Sequence, residues 1–77
     1  MSELAYVVGR CLLRQRLLEA DMTQVELSEI LGVKVQQINK YVHSHRRMSL
    51  QVAKNISVIL NCSIDDLYEW NEVGNGE

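Results

Sequence analysis

The stretch 23-TQVELSEILGV-33 decides the fold of this chain. Thr23 and Glu26 have the spacing of a capping box, in which the threonine hydroxyl accepts from the backbone N–H three residues on and the glutamate caps in return. Apolar residues then recur at helical spacing, and Gly32 suits the left-handed conformation that ends many helices. The stretch therefore predicts a short helix that starts at Thr23 and stops at Gly32.

A second short helix is predicted directly after this glycine. Its apolar residues recur at intervals of three and four, whereas polar residues occupy the other faces. The apolar face contains Val35, Ile38, Tyr41 and Val42, and the polar faces contain Gln36, Gln37, Asn39, Lys40 and His43. Two short helices joined by a glycine turn are what a helix-turn-helix requires. Ser28 supplies the small residue needed where the helices cross, and Ile38 supplies a buried anchor.

Three further helices are predicted from caps and periodicity. Helix one is expected to begin near Gly9 or Arg10. Ser49 is a suitable N-cap for helix four, and Ser63 with Asp66 repeats the capping-box spacing at the start of helix five. With no proline and only four glycines, the composition also favours helices joined by short turns.

The ends of the chain are less determined by pattern. The run Leu4 to Val8 is almost continuously apolar, and it is compatible with a helical extension, an extended arm or a strand paired across a dimer. Because a chain of 77 residues holds one small core, we expect a single domain over residues 1–70, with residues 1–8 as a candidate arm. Residues 71–77 are expected to form a flexible tail.

The composition is typical of a soluble globular domain, with 47% hydrophobic and 23% charged residues. No segment is long and apolar enough to span a bilayer, and the acidic amino end does not resemble a secretory signal, so we expect a cytoplasmic protein. Cys11 and Cys62 are too few for a disulfide scaffold and are expected to be reduced.

The distribution of charge is more informative than its sum. A formal net charge of −2 argues by itself against nucleic acid as a partner. However, no acidic residue lies between Glu29 and Asp65. This window contains Lys34, Lys40, Arg46, Arg47 and Lys54 together with His43 and His45. The sequence therefore predicts a positive patch flanked by acidic ends.

The stretch 23–33 resembles the T-Q-x-E-L-A-x-x-L-G-V signature of the Cro/phage-repressor (XRE-type) helix-turn-helix family. The similarity continues through Met48-Ser49-Leu50 and the run from Asn61 to Tyr68, and it covers Leu12 to Tyr68 without gaps. The resemblance implies an all-α, five-helix, lambda-repressor-like domain. It also implies a transcriptional regulator, of phage or mobile-element repressor type, that binds double-stranded operator DNA with its third helix, usually as a homodimer.

The resemblance assigns DNA-contacting roles position by position. The outward residues of the recognition helix are the expected base contacts, namely Lys34, Val35, Gln36, Gln37 and Lys40. Glutamine can pair with adenine, lysine with guanine, and valine can touch a thymine methyl. The expected phosphate contacts are Gln24, Asn39, His43, His45, Arg46 and Arg47.

The sequence departs from the family pattern at five positions. Lys34, Ser44 and Met48 stand where relatives commonly have a serine or threonine N-cap, a glycine and a proline. Leu17 and Val42 stand where many relatives pair an arginine with a glutamate. Because both members of that pair are apolar here, the change is compatible with the same fold.

Dimerisation, either in free solution or only on DNA, is expected because one short recognition helix reads too few base pairs to define a site. The apolar residues Leu67, Tyr68 and Trp70 at the carboxyl end are the first candidate for the contact, and the Leu4 to Val8 arm is the second.

Other classes of function have less support. His43, His45 and the two cysteines lack zinc-ligand spacing, so neither a metal nor another cofactor is expected. Asp65 and Asp66 suit the first turn of a helix, and no nucleophile, base and orienting group occur together, so an enzyme is not expected. The alternative is an interaction module with the same fold, such as an antitoxin or anti-repressor, although the acid-free window favours DNA.

Overall fold

The computed structural model describes residues 5–73, which form four α-helices, one 3-10 turn and a two-stranded sheet. In chain order the elements are β1 (Tyr6–Cys11), α1 (Leu13–Glu19), α2 (Gln24–Leu31), α3 (Val35–Val42), α4 (Leu50–Leu60), the 3-10 turn (Ile64–Leu67) and β2 (Tyr68–Glu72). No helix in this part of the chain is long and apolar enough to cross a membrane.

The fold is mostly helical, as predicted, but the carboxyl end differs from an all-α, five-helix domain. The Ser63 backbone N–H donates to Asp66 Oδ2 at 3.0 Å, so the predicted cap is present. It opens only the four-residue 3-10 turn rather than a full helix. The aromatic residues Tyr68 and Trp70 that follow favour an extended backbone, and they find a partner strand.

That partner is the apolar run at the amino end. β1 and β2 are antiparallel, with Tyr6 opposite Glu72 and Val8 opposite Trp70. Tyr6 to Val8 adopt a strand, one of the three structures left open for this run, but the strand pairs within the chain rather than across a dimer. Leu4 itself lies outside the described residues. We call the pair of strands the β ribbon.

Because of the ribbon, two observed boundaries differ from the predicted ones, namely the start of helix one and the end of the domain. Helix one begins at Leu13, because Gly9 and Arg10 belong to β1. β2 continues to Glu72, past the boundary that the sequence analysis sets at residue 70. The rest of the expected tail, residues 74–77, lies outside the described part of the chain.

The core joins all four helices to the 3-10 turn. Its largest fully buried side chains are Leu13, Leu27, Ile38, Ile56 and Leu67, one from each of these elements. Leu67 is therefore a core residue, and its expected place in a dimer contact is wrong. Leu17 is also buried, and Val42 packs against the same cluster, so apolar packing occupies the positions of the family's ion pair.

Candidate nucleic-acid interface

Local hydrogen bonds fix both ends of α2. The Thr23 N–H donates to Glu26 Oε1 at 2.9 Å, and the Glu26 N–H donates to Thr23 Oγ1 at 3.0 Å, so the predicted capping box is confirmed. Gly32 ends the helix at a φ of 79°, and its N–H donates to the Ser28 carbonyl at 2.8 Å. The turn into α3 therefore uses the left-handed backbone that glycine adopts at little cost.

The contact between α2 and α3 is close and apolar. Ser28 is buried, and its Oγ donates to the Val25 carbonyl at 2.6 Å, so the hydroxyl is satisfied within its own helix. Ile38 is fully buried, as expected of the anchor of α3. The orientation of α3 is thereby fixed by packing, which leaves its other face for contacts outside the domain.

The outward face of α3 carries most of the predicted base-contacting residues. Ile38 and Tyr41 are buried, Gln36, Asn39 and Lys40 are exposed, and Val35 and Gln37 are half-buried. Gln37 Nε2 donates to Tyr41 Oη at 3.0 Å. Of the two glutamines, Gln36 is thus the more available to an external partner.

An open groove of about 460 Å³ lies between the start of α2 and the outward face of α3. We call it the α2–α3 groove. Its lining residues are Gln24, Val35, Gln36, Asn39, Lys40 and His45. All of them were predicted from the sequence as DNA contacts, so the fold brings predicted base contacts and predicted phosphate contacts together on one concave surface.

The other predicted residues surround this groove without lining it. Lys34 is exposed and extended before α3, and its side chain makes no cap, unlike the serine or threonine of relatives. His43, Arg46 and Arg47 are exposed. The backbone N–H groups of residues 45 and 46 donate to the Lys40 carbonyl at 2.9 and 3.3 Å, which holds the basic loop against the end of α3.

Of the two loop positions that depart from the family, Ser44 and Met48, the second has a structural explanation. Ser44 has a φ of 59°, a conformation that favours the glycine found there in relatives. Met48 is buried, and its N–H donates to Tyr68 Oη at 2.9 Å, a bond that proline could not make. Burial raises the pKa of Tyr68 above its ordinary value.

A second open groove, of about 810 Å³, lies where the end of β1 and the start of α1 meet the end of α3. We call it the α1–α3 groove. Arg10, Arg14 and His43 line it, and the first two were missed by the sequence analysis. A signal existed, because no acidic residue lies between Glu3 and Glu19 and this stretch contains three arginines.

Cys11 and Cys62 are free thiols, and burial raises the pKa of each. Within residues 5–73 there is no group of three or more His, Cys, Asp and Glu side chains that could hold a metal ion.

Comparisons with known proteins match the same part of the chain. A family model described as helix-turn-helix matches residues 13–67, from the first residue of α1 to the last of the 3-10 turn. The SPbeta prophage-derived uncharacterized HTH-type transcriptional regulator YopS of Bacillus subtilis (strain 168) is 41% identical over 64 residues, which cover 82% of this chain and 86% of that protein. Among solved structures, the transcriptional regulator VanUg is 27% identical with a TM-score of 0.65, and the alignment covers 95% of this chain and 96% of that chain.

Proposed function

The chain belongs to the helix-turn-helix family, and on that premise we propose that it is a sequence-specific regulator of transcription that binds double-stranded operator DNA with α3 in the major groove. The α2–α3 groove is the observation that carries this proposal. Its residues combine amide and ammonium groups that can bond to base edges with groups that can bond to phosphates. Relatives that are regulators, one of them prophage-derived, support the same conclusion.

Sequence readout is assigned to the exposed face of α3. Gln36 and Lys40 are exposed and can bond to adenine and guanine edges, and Val35 offers a methyl group to thymine. Gln37 can join them only by exchanging its 3.0 Å bond to Tyr41 for one to DNA. Lys34, just before the helix, completes the set of base contacts.

Phosphate binding is assigned to both sides of this face. Gln24, at the start of α2, lines the α2–α3 groove opposite α3, and Asn39 and His45 line the same groove. His43, Arg46 and Arg47 continue the same surface along the loop that follows α3. These contacts carry no sequence information, but they fix the position of α3 on the duplex.

A homodimer is part of the proposal, and the β ribbon is the surface assigned to it. Trp70 is 46% exposed and Tyr6 is 58% exposed, and both line one shallow groove with Asp65. A two-stranded sheet also offers free strand edges for pairing with a second copy. Tyr68 contributes less than expected, since it is half-buried and its Oη is bonded to Met48.

The regulator is proposed to act in the cytoplasm as a repressor of phage or mobile-element type. No small-molecule cofactor is needed for this role, because a bound protein blocks access to the DNA that it covers. The B. subtilis relative is described as a prophage-derived transcriptional regulator, which supports this choice over an antitoxin or anti-repressor.

The test is selection of bound sites from random duplex DNA, followed by footprinting and by the mass of the complex in the ultracentrifuge. The proposal predicts a site with two-fold symmetry, half-sites about 34 Å apart and two chains bound. Failure to enrich any sequence would contradict specific DNA binding. An asymmetric site occupied by one chain would contradict the dimer alone.

A further inference from the structure

The α1–α3 groove is the larger of the two basic grooves beside α3, and the proposed contacts use only His43 from its lining. It meets α3 at Val42 and the residues that follow, whereas the α2–α3 groove, which contains Gln24, meets α3 between Val35 and Lys40. Three separate elements form it, so it exists only in the folded domain.

The charge of this groove suits an anion. Among the described residues that line it, none is acidic, whereas Arg10, Arg14 and His43 are basic. Arg14 is exposed and makes no ion pair within residues 5–73. Arg10 Nη2 lies 3.2 Å from Glu69 Oε2, but the Arg10 side chain is 73% exposed. An exposed pair of this kind is weak and can be exchanged for a phosphate.

The groove is held in a fixed position relative to α3. The Cys11 backbone N–H donates to Ser44 Oγ at 3.3 Å, which ties the end of β1 to the residue just beyond α3. The core residues Leu13 and Leu17 anchor α1 on either side of Arg14 in the sequence. The basic groups are therefore carried by the same rigid body as α3.

The two basic grooves form one surface. His43 lines the α1–α3 groove and His45 lines the α2–α3 groove, and their ring centroids are 5.8 Å apart. A helix inserted in a major groove, which is about 12 Å wide, has a phosphate backbone on either side. A protein that binds both walls needs cationic groups beyond both ends of the inserted face.

We infer that the α1–α3 groove binds backbone phosphates on the wall of the major groove that Gln24 does not reach, with Arg14 as the main contact and Arg10 and His43 beside it. The inference rests on the proposed function. It adds the start of α1 and the end of β1 to the DNA-binding surface.

The experiment is a scan of the selected duplex with a neutral methylphosphonate at one phosphate at a time. Arg14→Ala should bind about tenfold more weakly, the effect of one charge-assisted hydrogen bond, and its salt slope should fall by about one unit. At a phosphate that Arg14 contacts, a methylphosphonate should weaken DNA binding by the wild-type protein. The same methylphosphonate should not weaken DNA binding by Arg14→Ala any further. For Gln24→Ala, the methylphosphonate positions that no longer affect DNA binding should be different ones, on the other wall of the major groove.

Lys54→Ala is the matched control, because Lys54 is an exposed cation on α4 that lines neither basic groove, and it should leave affinity and salt slope unchanged. Unchanged melting temperatures would establish that both variants fold. If Arg14→Ala binds DNA as Lys54→Ala does, the inference is wrong and an acidic protein becomes the better occupant. The inference would also be wrong if Arg14→Ala and Gln24→Ala lost their sensitivity to methylphosphonates at the same positions. A wild-type protein that binds no duplex would overturn the proposed function as well.

Discussion

The helix-turn-helix and the β ribbon are held together in different ways. α2 and α3 each place a side chain at zero exposure in the core, Leu27 and Ile38. The ribbon buries only Cys11 among the residues of its two strands, and it leaves Tyr6 and Trp70 exposed. The helix-turn-helix is stabilised by side-chain packing, and the β ribbon mainly by backbone hydrogen bonds between its strands.

This difference suits the two regions to different tasks, readout of bases for the helix-turn-helix and contact between copies for the ribbon. A packed helix pair holds its outward side chains in fixed positions, as readout of bases requires. A two-stranded ribbon is marginal alone and gains stability when another surface covers it. The helix-turn-helix family match also leaves out both strands of the ribbon, because it starts at residue 13, after β1, and ends at residue 67, before β2. The ribbon thus lies outside the part of the chain that the family model matches, and contact between copies is a suitable use of it.

The largest expected effect is on stability. Ile38→Ala removes a fully buried side chain and should lower the free energy of unfolding by about 2–5 kcal/mol. Tyr6→Ala, in the ribbon, should change it by less than about 0.5 kcal/mol, because Tyr6 is exposed. Urea denaturation of both variants measures the contrast. Equal losses would mean that the ribbon is as much a part of the core as α3.

A smaller loss is expected at the turn between α2 and α3. Gly32→Ala should cost about 1–2 kcal/mol from the backbone alone, since φ is 79° and no atom lies within 4 Å of an added Cβ. Gly32→Asn should cost less, because asparagine tolerates the left-handed conformation. Thermal melting of the two variants provides the test. If Gly32→Ala were as stable as the wild type, the left-handed backbone at residue 32 would not strain an alanine.

The loop after α3 should affect binding rather than stability. Arg46→Ala or Arg47→Ala should weaken binding to all duplexes and lower the salt slope by about one unit for each lost phosphate contact. Arg46→Lys, which keeps the charge, should retain most of the slope. Affinities between low and physiological salt measure this effect. Slopes unchanged in both alanine variants would place the loop away from DNA.

The smallest effect concerns the turn that leads into the ribbon. Hydrogen bonds from the Ser63 backbone and hydroxyl lower the pKa of Asp66 below its usual value. Because the folded pKa is the lower one, this stabilisation is present above about pH 4 and is lost as the pH falls through the folded value. Asp66→Asn should therefore melt slightly below the wild type at neutral pH, and the difference should shrink in acid. A pH-independent difference would contradict this role.

The helix-turn-helix could be predicted closely because its signals are local. Thr23, Glu26 and Gly32 act within one short segment, and each forms the predicted cap or turn. The outward residues of α3 follow from the same periodicity once Ile38 faces the core. The groove that they form with Gln24 then follows from the crossing of two adjacent helices.

The ribbon could not be predicted in the same way, because its strands lie at opposite ends of the chain. A short apolar run such as Leu4 to Val8 fits a helix or a strand, and only its partner decides. The Ser63 cap marks where a helical turn starts but not that it stops after four residues. Arg10 and Arg14 were missed for a related reason, since only the fold brings them beside the end of α3.

The most direct test of the central claim is the ratio of affinities for the selected site and for random DNA, measured for Gln36→Ala. Gln36 is exposed on α3 and lines the α2–α3 groove, so we predict a loss of about 1–3 kcal/mol on the selected site and a much smaller loss on random DNA. Arg46→Ala is the reference, and it should reduce both affinities together. Equal losses on both DNAs for Gln36→Ala would contradict base readout by α3.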